Sequence, residues 1–119
     1  MEKINYNDLT QDDLNLLEDV KDRMIEFGFK QFEIKQTGII WISFRRNMTS
    51  VEYLYWPQRS EIEMIISIGT RKYELKDLVV IPEIREWWTE NNKGIAGFRN
   101  DSLWFVDLFK FSLPILESR

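Results

Sequence analysis

The sequence predicts a single α+β domain: an N-terminal helix, an antiparallel meander of four to five strands, and C-terminal helices packed on the sheet. Three observations predict this class. Apolar residues recur with a helical period near the N-terminus, the pattern then changes to alternation, and helix signals return after Pro82. The chain has 119 residues, of which 44% are hydrophobic. We therefore expect residues 1–119 to fold as one domain.

The first predicted element is a helix from about Gln11 to Phe27. Thr10 suits the N-cap position, and acidic residues in the first turn suit the positive end of the helix dipole. An apolar stripe follows at three- and four-residue steps, through Leu14, Leu17, Val20 and Met24. Gly28 is expected to adopt the left-handed conformation that ends many helices.

The middle of the chain is predicted to form strands. These are a segment around Phe32 and Ile34, then Ile39–Phe44, Thr49–Trp56, Glu61–Ile68 and a short fifth strand at Arg71–Leu75. Arg45 to Met48 is predicted to be a hairpin connection. The alternation places Val51, Tyr53 and Tyr55 on one face of their strand. The short connections imply that neighbouring strands are antiparallel.

The last third carries weaker signals. Pro82 suits a first helical position and predicts a helix through Trp87 and Trp88 to about Glu90. Residues 91–100 contain two glycines and are predicted to form a loop. Leu103–Phe111 fits a helix or a strand, with the helix preferred, and Pro114 is expected to end either one.

Composition restricts the chemistry. The chain has no cysteine and no histidine, so disulfides, thiolate nucleophiles and the common zinc ligand sets are excluded. We expect no cofactor, no bound metal and no enzymatic activity. The N-terminus lacks a basic segment followed by an apolar run, and no apolar stretch approaches the roughly 20 residues needed to cross a bilayer. A cytoplasmic location and no membrane partner are expected.

The charge is unevenly distributed. The net charge is −4, yet residues 1–34 carry nine acidic and four basic residues and residues 35–59 carry four basic residues and one acidic residue. An acidic first third argues against a nucleic-acid partner, which requires a basic face. It is compatible with steering toward a basic protein, or with a helix face that only keeps the chain soluble.

Two carboxylate patterns in the sequence have the spacing of metal sites. Glu61 and Glu63 lie two apart on a predicted strand and could hold Mg²⁺, but a solvated sheet face is the commoner cause of this spacing. Glu33 and Lys35 match the acid-x-lysine spacing of one nuclease class. The upstream aspartates fall in the first helix, where they cannot serve as the second metal ligand, so the nuclease hypothesis is set aside.

Basic and aromatic residues supply the candidate binding residues. Arg45 and Arg46 form the main basic concentration and could grip a phosphate or an acidic partner surface, although an ordinary exposed turn is the preferred explanation. Trp87 and Trp88 are adjacent on a predicted helix and point about 100° apart, so one of them is expected at the edge of the core. With Tyr53 and Tyr55, they are the residue types that anchor protein interfaces.

A small, acidic chain rich in tryptophan and tyrosine, without a catalytic set, resembles the immunity proteins that neutralise bacterial polymorphic toxins. The resemblance is one of size and composition over the whole chain. It implies stoichiometric binding to a cognate toxin domain, which is expected to be basic. The acidic helix face would attract the toxin, through Asp12, Asp13, Asp19, Asp22 and Glu26.

Other hypotheses remain open. The chain could be a phage- or plasmid-encoded inhibitor or adaptor that acts on a host enzyme. It could also be a small-ligand-binding domain in which the sheet and the Trp87 helix enclose an apolar pocket. A carboxylate-only enzyme that uses Mg²⁺ is a further alternative.

Overall fold

A computed structural model describes residues 11–36, 40–56, 61–91 and 98–119 and confirms the predicted α+β class. The elements, in chain order, are α1 (Gln11–Glu26), β1 (Lys30–Gln36), β2 (Ile40–Arg46), β3 (Thr49–Trp56), β4 (Glu61–Ile68), β5 (Arg71–Tyr73), α2 (Leu75–Leu78), α3 (Pro82–Asn91) and α4 (Phe98–Glu117). Within these described segments, no helix is both long and apolar enough to cross a membrane.

The five strands form one antiparallel meander in the order β1-β2-β3-β4-β5. The bounds of β3 and β4 are as predicted, whereas the β2–β3 connection is shorter than predicted. Arg45 and Arg46 belong to β2 and pair with Ser50 and Thr49, so the turn consists of Asn47 and Met48 alone. Asn47 takes the positive φ of 55° that this tight turn requires.

The core lies between one face of the sheet and the helices. Alternate strand residues point into it, as the period of two requires: Ile40, Ile42, Phe44, Val51, Tyr53, Tyr55, Met64 and Ile66. From the helical side the core receives Val20, Met24, Leu78, Ile81, Ile84, Phe105, Val106, Leu108, Phe109, Leu113 and Leu116. α4 packs against both α1 and α3 and also contacts β4. It is therefore the central helix of this layer.

α1 ends as the sequence predicts. Gly28 has a φ of 95°, and its N–H donates to the carbonyl of Ile25 at 2.9 Å. The next N–H, that of Phe29, donates to the carbonyl of Met24 at 2.9 Å. This pair of bonds satisfies carbonyls that would otherwise be left at the helix end, and it turns the chain directly into β1. The expected N-cap, Thr10, lies outside the described residues.

α4 differs from its prediction at both ends. It begins at Phe98, inside the segment predicted to be a loop, and it continues through Pro114 to Glu117. Proline removes one helical hydrogen bond, and the prediction that it ends the helix is wrong here. The physical reason is burial, because Leu113 and Leu116 on either side of Pro114 are almost fully buried in the core. The remaining predicted loop residues, 92–97, lie outside the described residues.

Candidate functional site

Among the described residues, four aromatic side chains of α3 and α4 that are partly exposed form one cluster, which we call the aromatic surface: Trp87, Trp88, Trp104 and Phe111. Trp87 stacks on Phe111 with ring centroids 5.4 Å apart and an interplanar angle of 19°. Trp104 touches both neighbouring tryptophans, since its centroid lies 5.6 Å from that of Trp87 and 4.9 Å from that of Trp88. Such geometry adds favourable energy beyond the burial of apolar area.

The helical repeat explains why both adjacent tryptophans join this cluster. Ile84 is fully buried and marks the inward direction of α3. At about 100° per residue, Trp87 and Trp88 fall on the two sides of that direction, about 60° and 40° from it. Both rings are half-buried and both reach Trp104 on the neighbouring helix. The expectation that only one of the two tryptophans packs against the core is therefore wrong, because both do.

Hydrogen bonds fix the cluster in place. The indole Nε1 of Trp104 donates to the carbonyl of Asn91 at 2.8 Å. The side-chain amide of Asn91 in turn donates to the carbonyl of Trp87 at 2.8 Å. The first bond ties the last turn of α3 to α4 through the Asn91 carbonyl, which the helix end leaves without an intrahelical partner, and the second bond lies within α3. The indole of Trp104 is therefore held in its orientation by a hydrogen bond as well as by ring contacts.

The aromatic surface is open to solvent and bordered by acids. Phe111 is 37% exposed, and the three tryptophans are half-buried. Glu83, Glu86 and Glu90 are exposed and lie at three- and four-residue steps on the Trp87 side of α3. On α4, exposed Asp107 precedes Phe111 by one turn. Exposed Arg85 lies one turn before Trp88, so the acidic border is on the Trp87 and Phe111 side. An apolar centre with acids on one side is suited to a partner that presents apolar and basic groups.

The acidic residues predicted on the first helix form a second exposed face. Asp19, Asp22 and Glu26 are exposed on α1, and Glu18 joins them. Asp12 also lies in α1, but its side chain is outside the described part of the structure. α1 and α3 contact α4 at different places: Lys110 lies over the Phe27 ring that follows α1, whereas Phe111 meets Trp87. The acidic face and the aromatic surface are therefore separate.

The two predicted arginines point to opposite sides of the sheet. Arg46 lies on the core side, where its Nη1 donates to the carbonyl of Phe27 at 3.1 Å and its Cζ lies 4.5 Å from the centroid of the Phe29 ring. Arg45 is exposed on the other side. Arg46 thus packs at the junction between α1 and the sheet, while Arg45 lies exposed at the end of β2.

The two predicted tyrosines do not form a surface. Tyr53 and Tyr55 are each only 5% exposed, because both point from β3 into the core. The Tyr53 hydroxyl donates to the sulfur of Met24 at 3.6 Å. Burial, and secondarily the negative charge of Asp107, raise the pKa of Tyr53 far above its ordinary value. These residues stabilise the fold. The prediction that they contact a partner is wrong, because their side chains are buried.

Carboxylates do not converge on a metal site in the segments that the structure describes: no group of three or more acidic residues is arranged to hold an ion. Glu63 is half-buried on β4, and the side chain of Glu61 lies outside the described part. Glu33 pairs with Ser43 in the register of β1 and β2. The inward side of α3, where an apolar ligand pocket was one hypothesis, is filled by Ile84.

Sequence reasoning found Trp87 and Trp88 and missed Trp104 and Phe111. The last two are seven residues apart, which is two helical turns, so a helix over this region places them on one side. That spacing was a usable signal. The sequence does not show, however, that α4 lies beside α3, because their contact joins residues separated by an interhelical segment.

No protein-family model matches this chain, and neither does any curated protein or solved structure. Any functional conclusion therefore depends on the residues and geometry of the chain itself.

Proposed function

We propose that this protein is a non-catalytic binding protein, of the kind that immunity proteins represent, and that it neutralises a cognate toxin by stoichiometric binding. The observation that carries the proposal is the aromatic surface. Tryptophan is the residue type most enriched among the residues that dominate binding energy, and three of the five tryptophans lie in this one cluster. The Trp104 ring, which contacts the other two, is held by a hydrogen bond to the Asn91 carbonyl, and such ordering lowers the entropic cost of association.

The charge supports a basic partner. Acidic residues border the aromatic surface on α3 and α4, and a second acidic face lies on α1. Complementary charge accelerates encounter and excludes acidic partners, while buried aromatic groups supply most of the affinity. A basic toxin domain, such as one that acts on nucleic acid, has the required character.

The test is capture of the tagged protein's partner from its own source, followed by a titration of that partner's activity. We expect one dominant partner with a basic domain, and we expect its toxic activity to fall to zero at one equivalent. Loss of activity only at large excess would contradict stoichiometric neutralisation. A partner that is a host enzyme without toxic activity would instead support the inhibitor or adaptor hypothesis.

A matched pair of variants connects the titration to the aromatic surface. Phe111→Ala removes the exposed end of the Trp87 stack, and Val80→Ala removes an apolar side chain that is 69% exposed and lies outside the cluster. We expect Phe111→Ala to require many more equivalents for neutralisation and Val80→Ala to behave like the wild type. Equal behaviour of the two variants would place the binding surface elsewhere.

A further inference from the structure

The side of the sheet that points away from the helices carries its own apolar cluster. In β2, β3 and β4 the residues between the core positions lie on this side, because successive strand residues alternate. We call this side the outer face, and its middle consists of Trp41, Ser43, Glu52, Leu54, Glu63 and Ile65. Five of these six residues are half-buried, and none belongs to the core cluster that the described helices cover.

The strand register places the three apolar side chains of the outer face next to one another. Trp41 and Leu54 are Cα partners between β2 and β3. Ile65 is the partner of Glu52 and is therefore diagonal to Leu54. Direct partners have Cβ atoms about 5 Å apart and diagonal neighbours lie within about 8 Å, so one packed element would cover all three. The elements that pack on a sheet face are helices or a second sheet.

Two carboxylates stand among these apolar side chains. Glu52 and Glu63 are half-buried, and in the part of the chain that the structure describes neither makes a hydrogen bond or an ion pair. They are diagonal neighbours across β3 and β4, since Glu63 is opposite Leu54. A partner that covers the apolar side chains would also remove water from these carboxylates, which is unfavourable unless the partner supplies cations.

A buried hydroxyl lies beside one of the two carboxylates. Ser43 is the Cα partner of Glu52 between β2 and β3. It is only 5% exposed, and its Oγ makes no hydrogen bond within the described segments. Buried polar atoms without a partner are rare in folded proteins. A guanidinium has five N–H donors, so one that pairs with Glu52 has a donor left for the Ser43 hydroxyl.

The charges of the outer face decide between the possible occupants. Arg45 and Lys72 lie at one end of the face, in a row with Ser50 and Ser67, so the carboxylates occupy the middle and the other end. Glu52 is on the central strand, and a second copy packed about a two-fold axis through the middle would bring two Glu52 carboxylates together. The same carboxylates disfavour a nucleic acid or an anionic lipid surface.

We propose that the outer face binds a basic amphipathic helix of a partner protein, with an arginine paired to Glu52 and a second cation paired to Glu63. Residues four apart on a helix have Cβ atoms about 5 to 6 Å apart, which is close to the spacing of diagonal sheet neighbours. Arginine fits better than lysine, because its planar group bonds a carboxylate at two points and stacks on aromatic rings such as Trp41. This surface is separate from the aromatic surface and does not depend on toxin binding.

The test is a titration of the ¹⁵N-labelled protein with a synthetic helical peptide of about 18 residues. The peptide carries arginine at two positions four residues apart and leucine at the flanking positions of the same face. Saturable amide shifts are expected at Glu52, Leu54, Glu63 and Ile65. A control peptide with glutamine at both arginine positions should bind about tenfold more weakly or worse. Equal binding of the two peptides, or shifts confined to the acidic residues of α1 and α3, would overturn the proposal.

Variants of the protein separate a specific pairing from general attraction between opposite charges. Glu52→Gln keeps the shape of the side chain and should weaken binding of the arginine peptide about tenfold. Glu86→Gln is the matched control, because Glu86 is exposed on α3 and loses the same charge. It should bind like the wild type. An equal loss of affinity in the two variants would overturn the proposal.

Two other occupants of the outer face would give different results, and each would overturn the proposal. Outer-face amide shifts that depend on protein concentration without peptide would identify a second copy of the chain. Nuclear Overhauser effects from the methyl groups of Leu54 or Ile65 to residues 1–10 in the free protein would show that the chain covers this face itself. Neither result is expected.

Discussion

The phenol of Tyr53 is enclosed by the core, so its ionisation is coupled to folding. Because burial raises its pKa, the folded protein keeps this proton while the unfolded chain releases it near pH 10. The unfolded state then binds fewer protons, and stability should fall as pH rises above this value, by about 1.4 kcal/mol per pH unit.

Tyr53→Phe should remove this loss of stability at high pH, because phenylalanine has no ionisable hydroxyl. We expect urea unfolding between about pH 9 and pH 11 to show a steeper loss of stability in the wild type than in Tyr53→Phe. Tyr73→Phe is the matched control, because Tyr73 is only half-buried on β5. Parallel pH profiles for the wild type and Tyr53→Phe would show that the phenol ionises equally in both states.

Glycine is required at position 28 because of its backbone conformation, and not because a side chain would lack room. A Cβ at this position would meet Arg46 Cδ at an ordinary 3.5 Å, but the φ of 95° is strained for any L side chain. Gly28→Ala should therefore lower the free energy of unfolding by about 1–2 kcal/mol, measured by urea denaturation. Gly28→Asn should cost less, because asparagine tolerates positive φ better. A neutral Gly28→Ala would contradict the capping role.

At the scale of elements, the prediction from sequence succeeded where the period was clean. β3 and β4 alternate strictly, and their bounds are as predicted. The sequence predicts a turn at Arg45 and Arg46, because charged residues at the end of a strand are typical of a loop. The sequence does not reveal that Arg46 pairs with Thr49 and covers Phe29. Such contacts depend on how α1 lies against the sheet.

Pro114 shows how tertiary burial overrides a local signal. It is exposed within α4, so its ring contributes little packing, while its missing N–H weakens the last turns. Pro114→Ala should raise the free energy of unfolding by about 1–2 kcal/mol, after allowance for the greater entropy of the unfolded chain. Chemical denaturation measures this. A loss of stability would indicate that the proline ring itself packs against the fold.

For the whole molecule, the charge distribution predicts kinetics more than affinity. Reversing Asp19, Asp22 and Glu26 on α1 should slow association with a basic partner about tenfold or more at low salt, and should flatten the salt dependence. Stopped-flow mixing measures the association rate. A neutral triple variant should associate at a rate between those of the wild type and the charge-reversed variant. It combines Asp19→Asn, Asp22→Asn and Glu26→Gln. An unchanged association rate would contradict a steering role for α1. It would not contradict binding through the aromatic surface.

The candidate site could be predicted only in part. Two tryptophans that are adjacent in sequence drew attention to α3, and their aromatic character suggested an interface. The other half of the aromatic surface comes from α4, whose position beside α3 is a product of the fold. Tyr53 and Tyr55 were chosen by residue type, and their side of β3 proved to be the core. Residue type identified the chemistry, and only packing decided which residues face solvent.

The most direct test of the central claim is the affinity of the captured partner for Phe111→Ala, compared with the wild type by calorimetry. The variant's far-ultraviolet spectrum and melting temperature establish that it is folded. If the aromatic surface is the binding surface, truncating its most exposed aromatic ring should cost about 2 kcal/mol, which is roughly a 30-fold weaker Kd. A Kd within about threefold of the wild-type value, for a folded variant, would contradict the claim.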